Sequence, residues 1–466
     1  MRQASTQPGP RTDFPPGPPD EFGLKRLLRM SRDPLGFFTG LRREYGRFVH
    51  YRIGTRHVWF VAEPDLIEEI LVKRARSFIK DQGLESTKPL LGEGLLTSEG
   101  ELHRRQRRLA QPAFHHARIA SYAPTMVEHG LRARERWRDG EVLDFAGEMI
   151  RLTLAIAGKT LFDTDVASDA DTIARALGAA MSTFTLARVP FWRLLLHVPV
   201  PSTLRFARAR RELDEVVYRL IAEHRRSGKD RGDLLSMLLL ARDEEGGTGA
   251  MTDRQLRDEA MTILLAGHET TAVALAWTFY VLAQNPEVEA SLHEEIDAVL
   301  RGAPPTAADV KRLPYLDMVL SESMRLYPPA WAIGRRAQEA VPLGEYELRA
   351  GDATVMPQWV VHRDPDLWPD PLRFEPLRFE PSRAAARHRF AYFPFGGGPR
   401  VCIGEGFAWL EAALLIVTIV QRWRLELVPG QRVAPLPRVT LRLRNGVRLV
   451  ARSRASERRR GKPRAD

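Results

Sequence analysis

The sequence predicts a mainly α-helical protein with small β-sheets, on three observations. Helical spacing and helix caps recur over most of its 466 residues. The run MTILLAGHETTAVALAWTFYVLA, 261–283, is apolar almost all round, as a helix inside a core must be. Aromatic and β-branched residues cluster in only a few short stretches, which limits the strands to small sheets.

The elements follow in order. Residues 1–20 are rich in Pro, Gly and polar side chains and predict a flexible lead-in, stiffened near its end by Pro15, Pro16, Pro18 and Pro19. YGRFVHYRIGTRHVWFVAE, 45–63, predicts a hairpin centred on Gly54. Helices are predicted near 64–77, 101–111, 142–160, 166–184, 203–226, 231–241, 253–284, 286–299 and 314–326. Thr252, followed by Asp253 and Gln255, marks the start of the longest. Short strands and loops then alternate up to a helix at about 405–421 and a strand pair around Val439 to Val450, turning at Asn445 and Gly446. Neither a repeat nor a separating linker interrupts the chain, so a single domain over 21–450 is expected, with a basic, disordered tail over 451–466.

Composition narrows the class. A hydrophobic content of 44% and a charged content of 28% belong to an ordinary folded protein. The single cysteine, Cys402, cannot form an internal disulfide, which favours a cytoplasmic protein. The first residues lack the apolar core of a signal peptide, and the longest apolar runs, such as Ala412 to Val420, fall short of the roughly 18 residues that a membrane span needs. No membrane anchor is expected. The net charge of +11 comes partly from ERRRGKPR near the end, which reads as a solvated tail with no nucleic-acid role.

Four segments carry chemistry. In FGGGPRVCIGEGFAWLEA, 395–412, three glycines give a backbone able to approach a bulky planar group, and Cys402 follows just before a helix whose field favours its thiolate. Arg400 adds positive charge beside it. A thiolate ligand pushes electron density onto iron and favours O–O cleavage, whereas zinc and iron–sulfur sites want further cysteines. By itself Cys402 reads equally as an inert buried thiol. In AGHETT, 266–271, Ala266 and Gly267 clear bulk from one helical turn, and Glu269 and Thr270 set an acid beside a hydroxyl. That pair either relays protons into a dry cavity or marks a kink with Thr270 bonded to the preceding turn. His268 reads as a structural residue rather than an iron ligand. In SESMRLYPP, 321–329, Glu322 and Arg325 share a helical face and either pair, joined by Arg378 if the chain folds back, or are simply the acid and arginine common at this spacing on helix surfaces. In LHRRQRRLAQPAF, 102–114, His103 and Arg107 share a face that could clamp a carboxylate, or the segment is simply a solvated basic helix.

Taken in this order, from PPGPP at 15–19 to the last strands, the four segments resemble the cytochrome P450 superfamily. The resemblance implies the cytochrome P450 fold, a triangular-prism helical domain with a long central helix, and a haem-thiolate monooxygenase of the bacterial type. It implies haem b, iron protoporphyrin IX, with Cys402 as the iron's proximal ligand, Phe395 packed beside the sulfur and Arg400 near a haem propionate. His103, Arg107 and Arg335 match further propionate-binding positions, although Trp is common in the family where His103 stands. Glu269 matches the acid of proton delivery, and Thr270 the hydroxyl that steadies bound oxygen. Glu322, Arg325 and Arg378 match a triad that locks the core and does no chemistry. Ala266, Ala330, Trp331 and Ile333, with 80–98 and 186–200, match positions that line the substrate pocket.

The implied reaction consumes O2, two electrons and two protons, and inserts one oxygen atom into an apolar or amphipathic substrate such as a fatty acid, terpene, steroid or polyketide, by hydroxylation or epoxidation. No redox module follows the last strands, so the electrons of NAD(P)H are expected through a reductase and a separate ferredoxin or flavodoxin, steered by Arg104, Arg105 and Arg108 to a monomeric enzyme. A peroxide-dependent peroxygenase or isomerase predicts loss of the acid and alcohol pair. A non-catalytic haem-binding sensor or carrier would share Cys402 and lack turnover.

Overall fold

Burial of one apolar helix stripe after another sets the architecture: in the computed structural model the chain is mainly α-helical, with small β-sheets of five, three, two and two strands among the described residues. Those residues are 14–19, 24–164, 175, 176, 178, 200–241 and 251–454. Most of the helix expected at 166–184, residues 186–199 of the expected pocket lining, and 455–466 of the basic tail lie outside them. Contacts group the chain into two compact units, each assembled from separate stretches.

The first unit takes residues up to 85, 330–372 and 386–402. The expected hairpin forms: Phe48–Ile53 pairs antiparallel with Arg56–Val61, with Gly54 at φ 60° in the turn. The sheet continues through Ala353–Met356, parallel to the hairpin's second strand, then Ile333–Ala337 and Phe78–Lys80. Helix Pro34–Tyr45 adds Phe37, Phe38 and Leu41 to the cluster formed by Val49, Tyr51, Trp59 and Phe60. Burial of each such side chain contributes about 1.5–3 kcal/mol. The expectation of a flexible lead-in needs correction at its end. Phe14 stacks on the His50 ring at 3.8 Å, and the Pro16 carbonyl accepts from the His50 N–H at 3.2 Å. Phe48–Ile53 is an edge strand, and this segment covers part of its open edge. The segment 64–77 is not one helix: an α-helical turn, Pro64–Glu68, passes into a π-helical turn, Glu69–Lys73, and a 3-10 turn, Ala75–Ser77.

The second unit takes 86–329, 373–385 and the chain from 403. Its longest helix, Asp253–Leu282, starts where the capping residues predict: Thr252 Oγ1 accepts from the Gln255 N–H, and Gln255 Oε1 accepts from the Thr252 N–H. Around it lie Gly100–Ala110, Phe145–Phe162, Pro201–Ser227, Leu234–Leu240, Pro286–Leu300, Pro314–Leu326 and Glu405–Val420.

Four sequence expectations change here. Helix His116–Glu135 is absent from the expected elements; it carries Pro124 inside it, and packing against Glu405–Val420 compensates, so closely that a Cβ on Gly130 would lie 3.0 Å from Leu415 Cδ2. Residues 142–144 are a strand paired with 448–450, and the helix begins after Asp144, whose carboxylate accepts from the Gly147 N–H. Asn445 and Gly446 do turn the chain at positive φ, but the strands beside them do not pair with each other. Leu441–Leu443 pairs with Pro435–Pro437, whereas Arg448–Ser453 pairs with Trp423–Leu427. That last strand carries order three residues past the expected boundary at 450, since Ala451, Arg452 and Ser453 still pair across the sheet.

Candidate active site

The loop that ends at Cys402 is dictated by its glycines. Gly396 and Gly398 sit at φ 78° and 66°, where a side chain is strained. A Cβ on Gly398 would lie 1.8 Å from the Leu71 carbonyl oxygen, and one on Gly397 2.6 Å from the Phe390 ring. The Phe393 carbonyl accepts from the Gly396 N–H at 2.9 Å, and the Phe395 carbonyl accepts from the Cys402 N–H at 3.0 Å, which closes the loop on itself. Cys402 is in no disulfide and is exposed, unlike most lone cysteines. Phe395 and Arg400 are half-buried, and helix Glu405–Val420 begins three residues beyond the sulfur.

Two residues that sequence reasoning missed support this loop. Gln358 and His362 are fully buried. The Gln358 side-chain amide donates to the Phe393 carbonyl at 3.0 Å, and His362 Nε2 accepts from the Phe393 N–H at 3.1 Å. Their i, i+4 spacing in PQWVVH was the available signal. Arg335 is buried in strand Ile333–Ala337 and donates to the Gly334 carbonyl at 2.8 Å. Beside it, burial pushes the Asp81 carboxyl up, opposed by the Leu84 and Gly83 N–H groups and by the Arg335 charge. Ala330, Trp331 and Ile333 are partly exposed, with Trp331 against Phe38 at 6.3 Å between ring centroids.

In the second unit, the long helix is buried throughout 256–282 except at Ala266, Gly267, Thr270 and Tyr280. The first three share one face and form an opening of small and hydroxylic groups in an otherwise apolar helix. Thr270 Oγ1 donates to the Ala266 carbonyl at 2.7 Å. Its neighbour Glu269 points elsewhere: only 2% exposed, its Oε1 accepts from Thr440 Oγ1 at 2.6 Å and from Arg442 Nε at 2.8 Å. Oε2 is buried without a partner among the described residues. His268 is buried with Nδ1 2.6 Å from the Leu264 carbonyl, and burial lowers its pKa, as suits a structural residue.

Glu322, Arg325 and Arg378 come together in the core. Arg325 grips Glu322 through two bonds, 2.6 and 2.8 Å, and Arg378 approaches Glu322 at 3.4 Å; the three side chains are 0%, 0% and 7% exposed. On helix Gly100–Ala110, His103 is buried and Arg107 half-buried, whereas Arg104 and Arg108 are exposed, so the face predicted to grip a carboxylate is the inner one. Arg104 pairs with Glu101 on its own helix.

These donors fit a haem. Cys402 offers one exposed soft ligand at the end of a loop held down on Leu71 and Phe390 by its glycines, and Arg335 and Arg400 of the same unit carry the charge that suits propionates.

Comparison with known proteins gives the same assignment. The sequence pattern described as Cytochrome P450 matches residues 15–446. The chain is 41% identical to "Cyclooctatin synthase" of Streptomyces melanosporofaciens, over 89% of this chain and 90% of that one. It is 37% identical to "Cyclooctat-9-en-7-ol 5-monooxygenase" of the same organism, over 87% and 88%. With "Pentalenene oxygenase" of Streptomyces avermitilis it shares 35% identity over 91% and 94%. Among solved structures, the "cytochrome P450DA heme domain" superposes with a TM-score of 0.85 at 28% identity, covering 95% of this chain and 98% of that one. "Retinoic acid bound cyanobacterial CYP120A1" gives 0.85 at 27%, covering 95% and 100%. A glycine loop that presents a lone thiol, an opened helix with an acid and an alcohol, and a buried Glu–Arg–Arg cluster therefore belong to a member of the cytochrome P450 family, a haem-thiolate monooxygenase.

Proposed function

We propose that this monooxygenase inserts one oxygen atom from O2 into a cyclic, unsaturated hydrocarbon skeleton or an alcohol of one, a terpene-like substrate. The observation that carries the reading is the exposed face Ala266–Gly267–Thr270, apolar except for a single hydroxyl. Ala330, Trp331 and Ile333 add apolar surface suited to the same class. Two relatives bear the names of unsaturated ring compounds, cyclooctat-9-en-7-ol and pentalenene, which favours this class over a fatty acid.

Haem, when bound, supplies the reductive activation of dioxygen. The chain's own residues would divide the remaining work. Cys402 would hold the iron; Arg107, Arg335 and Arg400, with His103, would pair with propionates; Phe395 would pack beside the sulfur. Thr270 presents a hydroxyl at the open face of the long helix, and Glu269 supplies protons. Glu322, Arg325 and Arg378 brace the fold. Electrons would come through a separate ferredoxin or flavodoxin and its reductase in the cytoplasm. Pairing of Arg104 with Glu101 lowers the positive charge that helix Gly100–Ala110 offers such a carrier.

The test is a titration of the haem-loaded protein with cyclic alkenes, their alcohols and fatty acids, followed by turnover with NADH, ferredoxin, reductase and isotope-labelled dioxygen. Cyclic alkenes or alcohols should shift the Soret band and give products that carry one labelled oxygen. Shifts and products with fatty acids alone would overturn the substrate class, and turnover with peroxide but with no electron carrier would overturn the monooxygenase route.

A further inference from the structure

Glu269 is held by residues far away in sequence. Thr440 and Arg442 belong to the hairpin Pro435–Pro437 and Leu441–Leu443, and both donate to the same carboxylate oxygen, Oε1. The charge-assisted bond from Arg442 and the short bond from Thr440 fix that oxygen in place. The second oxygen, Oε2, is buried and has no partner among the described residues. A buried acceptor left unsatisfied is costly, so such an atom persists where a water or a transferable proton uses it.

The hairpin is anchored in turn. Between Thr440 and Arg442, the Leu441 N–H donates to the Pro329 carbonyl at 2.9 Å, and the Leu441 carbonyl accepts from Trp277 Nε1 at 2.7 Å. Trp277 lies on the long helix two turns beyond Glu269 and stacks on Tyr327, with ring centroids 3.9 Å apart and planes 5° apart. Pro329 directly precedes Ala330, Trp331 and Ile333 in the chain.

We infer that Thr440 and Arg442 are positioning residues for Glu269: they fix Oε1, leave Oε2 to hold and pass the proton, and tie this acid through Leu441 to the segment that leads into the expected pocket lining. The inference rests on the proposal that Glu269 delivers protons. In the productive reaction, RH, O2, two electrons and two protons give ROH and H2O. If protons arrive at the wrong atom, O2, two electrons and two protons give H2O2 instead, and substrate is untouched. Both electrons come from the ferredoxin or flavodoxin.

The experiment uses the haem-loaded full chain with ferredoxin and reductase, and reads product and H2O2 formed per NADH oxidised. E269Q should lower product yield and raise H2O2. T440V and R442Q should do the same, with yield down about threefold and KM within about twofold of the parent, because ground-state binding is not what they remove. T440S and R442K, which keep a donor, should recover most of the yield, and E269Q/R442Q should be no worse than E269Q. A second readout needs no turnover: hydrogen exchange at the Leu441 amide, measured on the resting protein, should quicken about tenfold in T440V and R442Q. If E269Q uncouples while T440V and R442Q keep the parental yield, or if they only raise KM, the positioning role is wrong. If E269Q itself leaves the yield unchanged, the reading of Glu269 as the proton donor is wrong, and the inference falls with it.

Discussion

The loop before Cys402 and the surroundings of Glu269 are both rigid, yet they draw that rigidity from different sources. Within the loop, glycines at positive φ and bonds from Phe393 to Gly396 and from Phe395 to Cys402 fix the backbone over ten residues. Around Glu269, the long helix supplies only the position of the Cα. The carboxylate is oriented by Thr440 and Arg442, 171 and 173 residues away. The lone thiol is thus held by local backbone geometry, whereas the carboxylate proposed to deliver protons is held by side chains distant in sequence. The first should break when the backbone is strained, the second when a distant partner is removed.

The Glu322 cluster combines both designs, so it gives the largest expected effect. R325A leaves a fully buried carboxylate with the Glu375 N–H at 2.9 Å and the weaker approach of Arg378 at 3.4 Å but no bidentate partner, and should cost about 3–5 kcal/mol in denaturant unfolding. R378A, which keeps the local bidentate pair, should cost clearly less. Equal costs would mean that the distant arginine matters as much as the local one.

Next comes the loop itself. G398A forces a side chain into φ 66°, a strain of about 1–3 kcal/mol, and adds to it a clash with the Leu71 carbonyl. It should reduce haem occupancy, measured as bound haem per chain, far more than it lowers the melting temperature. Normal occupancy would show that the loop is less constrained than its backbone implies.

The smallest effect sharpens the non-local side of the comparison. Glu411 on helix Glu405–Val420 is completely buried, and burial pushes its carboxyl well above the ordinary value, opposed by the Thr271 hydroxyl of the long helix. With the folded value raised, the native state binds the proton more tightly than the unfolded chain. Its stabilising contribution is present below the ordinary Glu value, about 4.3, and is lost as pH rises through the folded value. E411Q cannot ionise, so it should melt about 2 °C above the parent at alkaline pH, with the gap closing toward pH 4–5. A gap independent of pH would rule out titration of Glu411 as its origin.

The same contrast explains what was legible in the sequence. FGGGPRVC announces its own backbone, and Glu322 with Arg325 announces an i, i+3 pair, because in each the interacting residues are neighbours. Arg378 could be named as a further partner only on the condition that the chain folds back, a condition that nothing near 378 reveals. Thr440 and Arg442 were not found, since nothing near 440 indicates that two donors will meet a helix residue at 269. Helix His116–Glu135 contains Pro124, which costs a helix on its own, and it packs on Glu405–Val420, a partner about 290 residues on that local sequence does not reveal. Strand Val142–Asp144 was absorbed into the helix after it, because its partners lie about 300 residues on, at 448–450.

The most direct measurement is the carbon monoxide difference spectrum of the reduced protein, recorded beside that of C402S. Thiolate ligation predicts the red-shifted Soret band of a haem-thiolate protein in the parent chain and its disappearance in C402S, even where haem remains bound. Persistence of that band in C402S would contradict the assignment of Cys402 as the iron's ligand.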